Sequence, residues 1–209
     1  MNRILLVVAF VIAIAHSTFA QDPGTAVTPG TLVWCGLDYS HVKMIGTQDF
    51  KNADAIFPSM LESWNGLFMK EMLPKLEKMA PGAATDINAI QPGNAKAGGS
   101  AIVREDGTEA EMVTPTHITA QDIATIVKSY KIRHTQGLGL VFIVDRLVKS
   151  QQTGCLYVVF FDIATRKVVY SQRCCEKASG AGFRNYWFGP IKKTVKDLPG
   201  MYRQAKTGK

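Results

Sequence analysis

The clearest hydrophobic pattern in the chain is Leu140-Val141-Phe142-Ile143-Val144, an unbroken apolar run introduced by Gly137-Leu138-Gly139. A short apolar run bounded by turn residues predicts a central strand, covered on both faces. Leu156–Ile163 predicts a second strand and Val168–Cys174 its more polar partner. Ala164-Thr165-Arg166-Lys167 makes the turn between them, and Asp162 can hydrogen-bond back onto it. Two helices read as amphipathic stripes. Phe57-Pro58 opens the first, because proline is tolerated in a first helical turn. Leu61, Trp64, Leu67 or Phe68, and Met72 then recur at three- and four-residue steps, until Pro74 kinks or ends the helix. In the second, Thr119 with Asp122 forms a capping-box-like pair, and Ile123, Ile126, Val127 and Tyr130 mark one buried face. Thr31–Ile45 holds the first strand, and Phe183–Leu198 a closing helix.

The order is therefore strand, helix, insertion, helix, three strands, helix. Helices flanking a strand meander predict an α+β fold, a mixed or antiparallel sheet of about four to six strands with helices packed on it. One domain spans 31–200, with a Gly/Pro/Ala-rich insertion at about 80–116, where Asp106-Gly107 could turn a small hairpin. A basic, flexible tail is expected at 201–209, and a Pro/Gly/Thr-rich disordered leader at 21–30.

The first twenty residues have the three-part pattern of a secretory signal: Arg3, the apolar run Ile4–Ala15, and the small-x-small site Thr18-Phe19-Ala20. That apolar run is shorter than the roughly 20 residues a membrane-spanning helix needs. Cleavage after Ala20 would leave a periplasmic or secreted protein beginning at Gln21, with no spanning segment.

Export changes how the cysteines and the charge read. Cys35, Cys155, Cys174 and Cys175 would meet an oxidising compartment, where disulfides persist. A three-residue turn at Ala164–Arg166 sets Cys155 opposite Cys175, and a four-residue turn brings Cys174 to the face of Cys155. The remaining cysteine of the adjacent pair points to the other face, available to Cys35 if the first strand lies near. Reduced thiols are the alternative. Zinc is not expected, because His41, His117 and His134 lie far from the Cys174-Cys175 pair and no C-x-x-C occurs. The net charge of +7 gathers toward Lys192, Lys193, Lys196, Arg203, Lys206 and Lys209. Such a tail can meet anionic lipid or glycan, while export argues against nucleic acid.

Catalytic signatures are sparse. Gly180-Ala181-Gly182 lacks the G-x-G-x-x-G spacing of a dinucleotide site, and no G-x-S-x-G elbow is present. No cofactor is expected. Asp38 and Asp145, at or near strand ends, are candidate acids for a hydrolase that would also need a histidine. Salt bridges and turn caps are the competing use. Phe183-Arg184-Asn185-Tyr186-Trp187 is denser in aromatics than an amphipathic helix needs, which suits either a binding surface or core packing.

The run Gly180–Trp187, together with Val159–Val168 and Gly139–Val144, resembles an uncharacterised family of exported bacterial proteins. The likeness covers about the last half of the chain and carries no catalytic residues. The element order is also loosely similar to envelope accessory domains such as the amino-terminal domain of TolB, an architectural likeness alone. The expected function is that of a non-enzymatic envelope interaction or accessory module with a protein partner. A small-molecule or glycan-binding protein is the alternative, and a hydrolase built on strand-end Asp and His residues comes third.

Overall fold

The computed structural model describes residues 30–46, 50, 52–103 and 117–208. The signal segment, almost all of the leader, the Asp106-Gly107 turn and Lys209 lie outside the described residues.

The long central strand is β5 (Leu138–Val148), buried along its whole length. It carries β1 (Leu32–Asp38) and β2 (Lys43–Ile45) end to end along one side, both parallel to it. Two short strands extend the sheet beyond them. β3 (Ala84–Thr85) pairs parallel with β1, and β4 (Ile102–Val103) pairs parallel with β2. On its other side β5 pairs antiparallel with β6 (Thr153–Asp162), which pairs antiparallel with β7 (Val168–Lys177).

This corrects the expected fold class. The α+β reading, with a mixed or antiparallel sheet of about four to six strands, gives way to an α/β fold whose seven-stranded sheet is parallel across β1–β5 and antiparallel only where β6 and β7 are added. Every pairing made by β1–β4 is parallel, because helical crossovers return the chain in the same direction. The first crossover, between β2 and β3, carries α1 (Ala53–Ile56), α2 (Ser59–Glu71) and α3 (Leu73–Met79). Pro74 sits in the first turn of α3, starting a new helix where the old one stops. The next, between β3 and β4, carries α4 (Gln91–Asn94), and the last, between β4 and β5, carries α5 (Ala120–Ser129). Sequence periodicity marked the helices but not the direction in which the strands resumed.

The sheet is covered on both faces. On one, Trp34, Leu140, Phe142, Val158 and Phe160 pack under α2, α3 and α6 (Gly182–Thr207). On the other, Val33, Cys35, Val141, Ile143, Val159 and Phe161 pack under Ile123, Ile126 and Val127 of α5. The Thr119–Asp122 capping box is formed as expected. Gly139 lies inside β5 rather than in the preceding turn. A Cβ there would come within 2.2 Å of the Phe161 ring, so only glycine admits that aromatic. The segment from 201 continues α6, with Met201 and Ala205 buried.

The β6–β7 hairpin turns as the sequence predicts, with Thr165 N–H and Oγ1–H both donating to Asp162 Oδ1 at 2.8 Å. The register sets Cys155 opposite Cys175, and the two form a disulfide. Cys35 and Cys174 are free thiols. They cannot meet, because Cys35 lies under α5 while Cys174 packs on the α6 side of the sheet. Burial pushes the Cys35 thiol up to about 12, and Asp86 adds to the rise. Closing a loop with a sequence separation of 20 is worth about 3 kcal/mol in chain entropy. Reduction, or Cys155→Ser with Cys175→Ser, is expected to lower stability by that amount in urea titration. Non-reducing peptide mapping should find Cys155 joined to Cys175; Cys155 recovered free would contradict the pairing.

Candidate functional site

In parallel sheets ligands bind beyond the carboxyl ends of the strands, and the polar side chains of this protein gather there. β1 ends at Asp38. β3 pairs only with Val33 and Trp34, and β4 only with Met44 and Ile45. Between them the outer edge of residues 37–39 has no strand beside it among the described residues. Two buried asparagines take the place of one. Asn65 Oδ1 accepts from Leu37 N–H at 2.8 Å, and its Nδ2 donates to Leu37 O at 3.1 Å and Leu61 O at 3.2 Å. Asn94 Oδ1 accepts from Tyr39 N–H at 2.7 Å, and its Nδ2 donates to Leu37 O at 3.0 Å. Buried backbone groups that lost a ladder partner need such substitutes. Gly36 makes the close approach possible. Its φ is +116°, and a Cβ would stand 3.1 Å from Asn65 Oδ1 and 3.0 Å from Ile90.

Over this gap lies a cleft of about 400 Å³. One wall is Ala53, Asp54, Phe57, Pro58, Leu61 and Glu62; the other is Gln91, Ala95, Ala97, Gly98 and Gly99; Asn65 and Asn94 form part of its lining. Phe57 offers a half-buried ring, Asp54 and Glu62 offer exposed carboxylates, and Gln91 an amide. Among the described residues no lysine or arginine lines it, although the chain as a whole is basic. That volume lies within the roughly 300–1,000 Å³ range of small-molecule sites, and the mix of an apolar face with a few polar groups fits them.

The two expected acids fare differently. Asp38 is buried and satisfied: its Oδ1 accepts from Ser40 N–H at 2.8 Å, its Oδ2 from Tyr130 O–H at 2.6 Å. Burial, reinforced by that carboxylate, raises the Tyr130 hydroxyl well above its ordinary value. Asp145 does meet a histidine, with His117 Nδ1 at 3.2 Å from Oδ2. The same oxygen accepts from Arg173 Nη2 at 2.8 Å, Arg173 Nε at 3.1 Å and Arg146 Nε at 3.1 Å. Burial alone would raise this carboxyl; Arg173, Arg146 and His117 together outweigh it and hold it below the usual carboxylate range. Such a group stays ionised and orients its neighbours. Its arrangement is that of a buried ion-pair hub. Ser40 Oγ lies 2.7 Å from His41 Nδ1, but the acid that completes a triad is not bonded to that ring among the described contacts. Among the described residues no three His, Cys, Asp or Glu side chains gather as metal ligands.

The aromatic segment sits on the first turns of α6. Trp187 is buried, its ring 5.3 Å from Phe50, and Phe183 is half-buried, 6.1 Å from Trp64. Tyr186 is half-buried, while Arg184 and Asn185 are exposed. Trp64 Nε1–H donates to Arg184 O at 2.8 Å, tying the segment to α2 through its backbone. Sequence reasoning missed Asn65, Asn94 and Gln91. A polar residue among α2's apolar positions, as Asn65 is, was the available signal.

Comparison with family profiles, with curated proteins and with solved structures returns no match. Among the described residues no helix is long and apolar enough to cross a membrane.

Proposed function

We propose that this chain is an exported binding protein that takes a small, neutral, hydroxyl-rich ligand of saccharide type in the cleft between α1–α2 and α4. The observation that carries this reading is the convergence of Asp54, Glu62 and Gln91 around the Phe57 ring at the carboxyl end of β1. Carboxylates and amides accept and donate to hydroxyl groups, and an aromatic face covers the C–H face of a sugar ring. The two carboxylates disfavour an anionic ligand there. Export rests on the amino-terminal pattern, and the Cys155–Cys175 disulfide is compatible with it. Binding without chemistry is favoured over hydrolysis because Asp38 and Asp145 are both engaged in permanent internal contacts.

The test is calorimetric titration of the mature protein with a panel of neutral mono- and disaccharides. At least one should bind, and Ala97→Trp, which fills the cleft, should weaken it by about tenfold or more without lowering the unfolding midpoint. Binding that survives Ala97→Trp unchanged, or a panel with no binder, contradicts the reading.

A further inference from the structure

A second concavity, of opposite polarity, lies at the far end of α2. It has a volume of about 680 Å³. Lys75 of α3 and Lys192, Lys193 and Lys196 of α6 all line it, against a single carboxylate, Glu71. Glu71 is paired with Lys192, and Lys193 Nζ donates to Lys177 O at 2.7 Å. The ammonium groups of Lys75 and Lys196 have no hydrogen-bond or ion-pair partner among the described residues. Like charges converging in one concave surface are unfavourable for the protein alone and create a focused positive potential.

The groove is built by the helix itself. Pro190 has no N–H, so the Tyr186 carbonyl is left without its intrahelical donor. Ser179 N–H supplies the bond at 3.2 Å and folds the 179–182 loop back against α6. Gly189 admits that loop, since a Cβ there would lie 2.5 Å from Ser179 O. The loop walls one side of the groove, the α2–α3 junction the other, and the lysines line the space between them.

We propose that this groove binds a ligand carrying clustered phosphate groups, held by Lys75, Lys192, Lys193 and Lys196. The site is independent of the saccharide cleft, which carries acids where this one carries ammonium groups. A groove holding its ammonium groups inside a concavity suits a compact phosphate cluster better than a flat charged surface. Such a cluster could be a free phosphorylated small molecule or a phosphorylated lipid headgroup.

Inorganic tripolyphosphate is the soluble probe, titrated calorimetrically in 0.15 M salt. Vesicles of phosphatidylcholine with 5% phosphatidylinositol bisphosphate, whose headgroup carries three phosphate groups, are the membrane probe, read by co-sedimentation. The groove variant is Lys75→Glu with Lys196→Glu. Its control is Lys128→Glu with Lys131→Glu, exposed positions at the end of α5 with the same change in net charge. The expected result is that tripolyphosphate binds, that the groove variant weakens it by about tenfold or more, and that the control changes it less than about twofold. Vesicles bound in the same variant-sensitive way, and displaced by tripolyphosphate, would identify a headgroup as the source; soluble binding alone would identify a free ligand. Equal weakening in both variants would reveal diffuse basic attraction and overturn the site, as would failure of tripolyphosphate to bind.

Discussion

Trp187→Ala should destabilise the protein by about 3–5 kcal/mol, the cost of truncating a large buried aromatic. The ring is 1% exposed. It lies 5.3 Å from Phe50, shares the core with Phe188 and Ile191, and meets the Tyr186 ring edge-on at 5.1 Å. Its indole N–H has no partner among the described residues, so the expected loss is one of packing. With a urea dependence of about 2 kcal/mol per M, a drop of 4 kcal/mol moves the unfolding midpoint by about 2 M. A change below about 0.5 kcal/mol would mean that the ring serves a surface and that the α6–α2 packing is wrong.

Asp145→Ala should cost about 3 kcal/mol at pH 7. The carboxylate is 2% exposed and Arg146 is 6% exposed, so removing the acid takes a charged partner away from a buried guanidinium. Arg173, at 31% exposure, is partly hydrated and contributes less. The effect should depend on pH with a definite sign. Because the folded carboxyl titrates below its unfolded value of about 3.9, the stabilisation is complete above that value and is lost as pH falls through the folded pKa. The gap between wild type and Asp145→Ala in urea titrations should therefore narrow as pH is taken from 7 to 3. A gap that stays constant with pH, or that is absent at pH 7, would show that the ion-pair hub does not stabilise the fold.

Local signals in the sequence located the elements well. The apolar run at 140–144, the Thr119 cap and the Asp162 turn each involve residues within a few positions of one another. Chemistry at that range is visible in a string of letters. A hairpin bridge from Cys155 to Cys175 or Cys174 was legible for the same reason, and a register shift between Phe160 and Phe161 decides for Cys175.

The parallel pairing of β1 with β5 was not legible. Leu32 meets Leu138 across more than a hundred residues, and nothing local encodes the direction of that contact. The candidate cleft was hidden for a related reason. Asn65 and Asn94 read as ordinary polar residues until β3 and β4 are seen to leave the outer edge of residues 37–39 unpaired by any described strand. His117 could be placed beside Asp145 only through the packing of α5, which brings the two to 3.2 Å. The aromatic segment divides within itself. Trp187 faces the core because α6 lies flat on the sheet, while Asn185 lines the lysine groove.

The central claim is that the cleft between α1–α2 and α4 is the ligand site, and backbone-amide chemical-shift mapping during titration with the saccharide panel tests it most directly. The account predicts that the perturbed amides cluster at residues 53–62 and 91–99, with those around His117 and Asp145 unmoved. Shifts centred on His117, Asp145 and Arg173, with the cleft silent, would contradict it and return the chain to the enzymes.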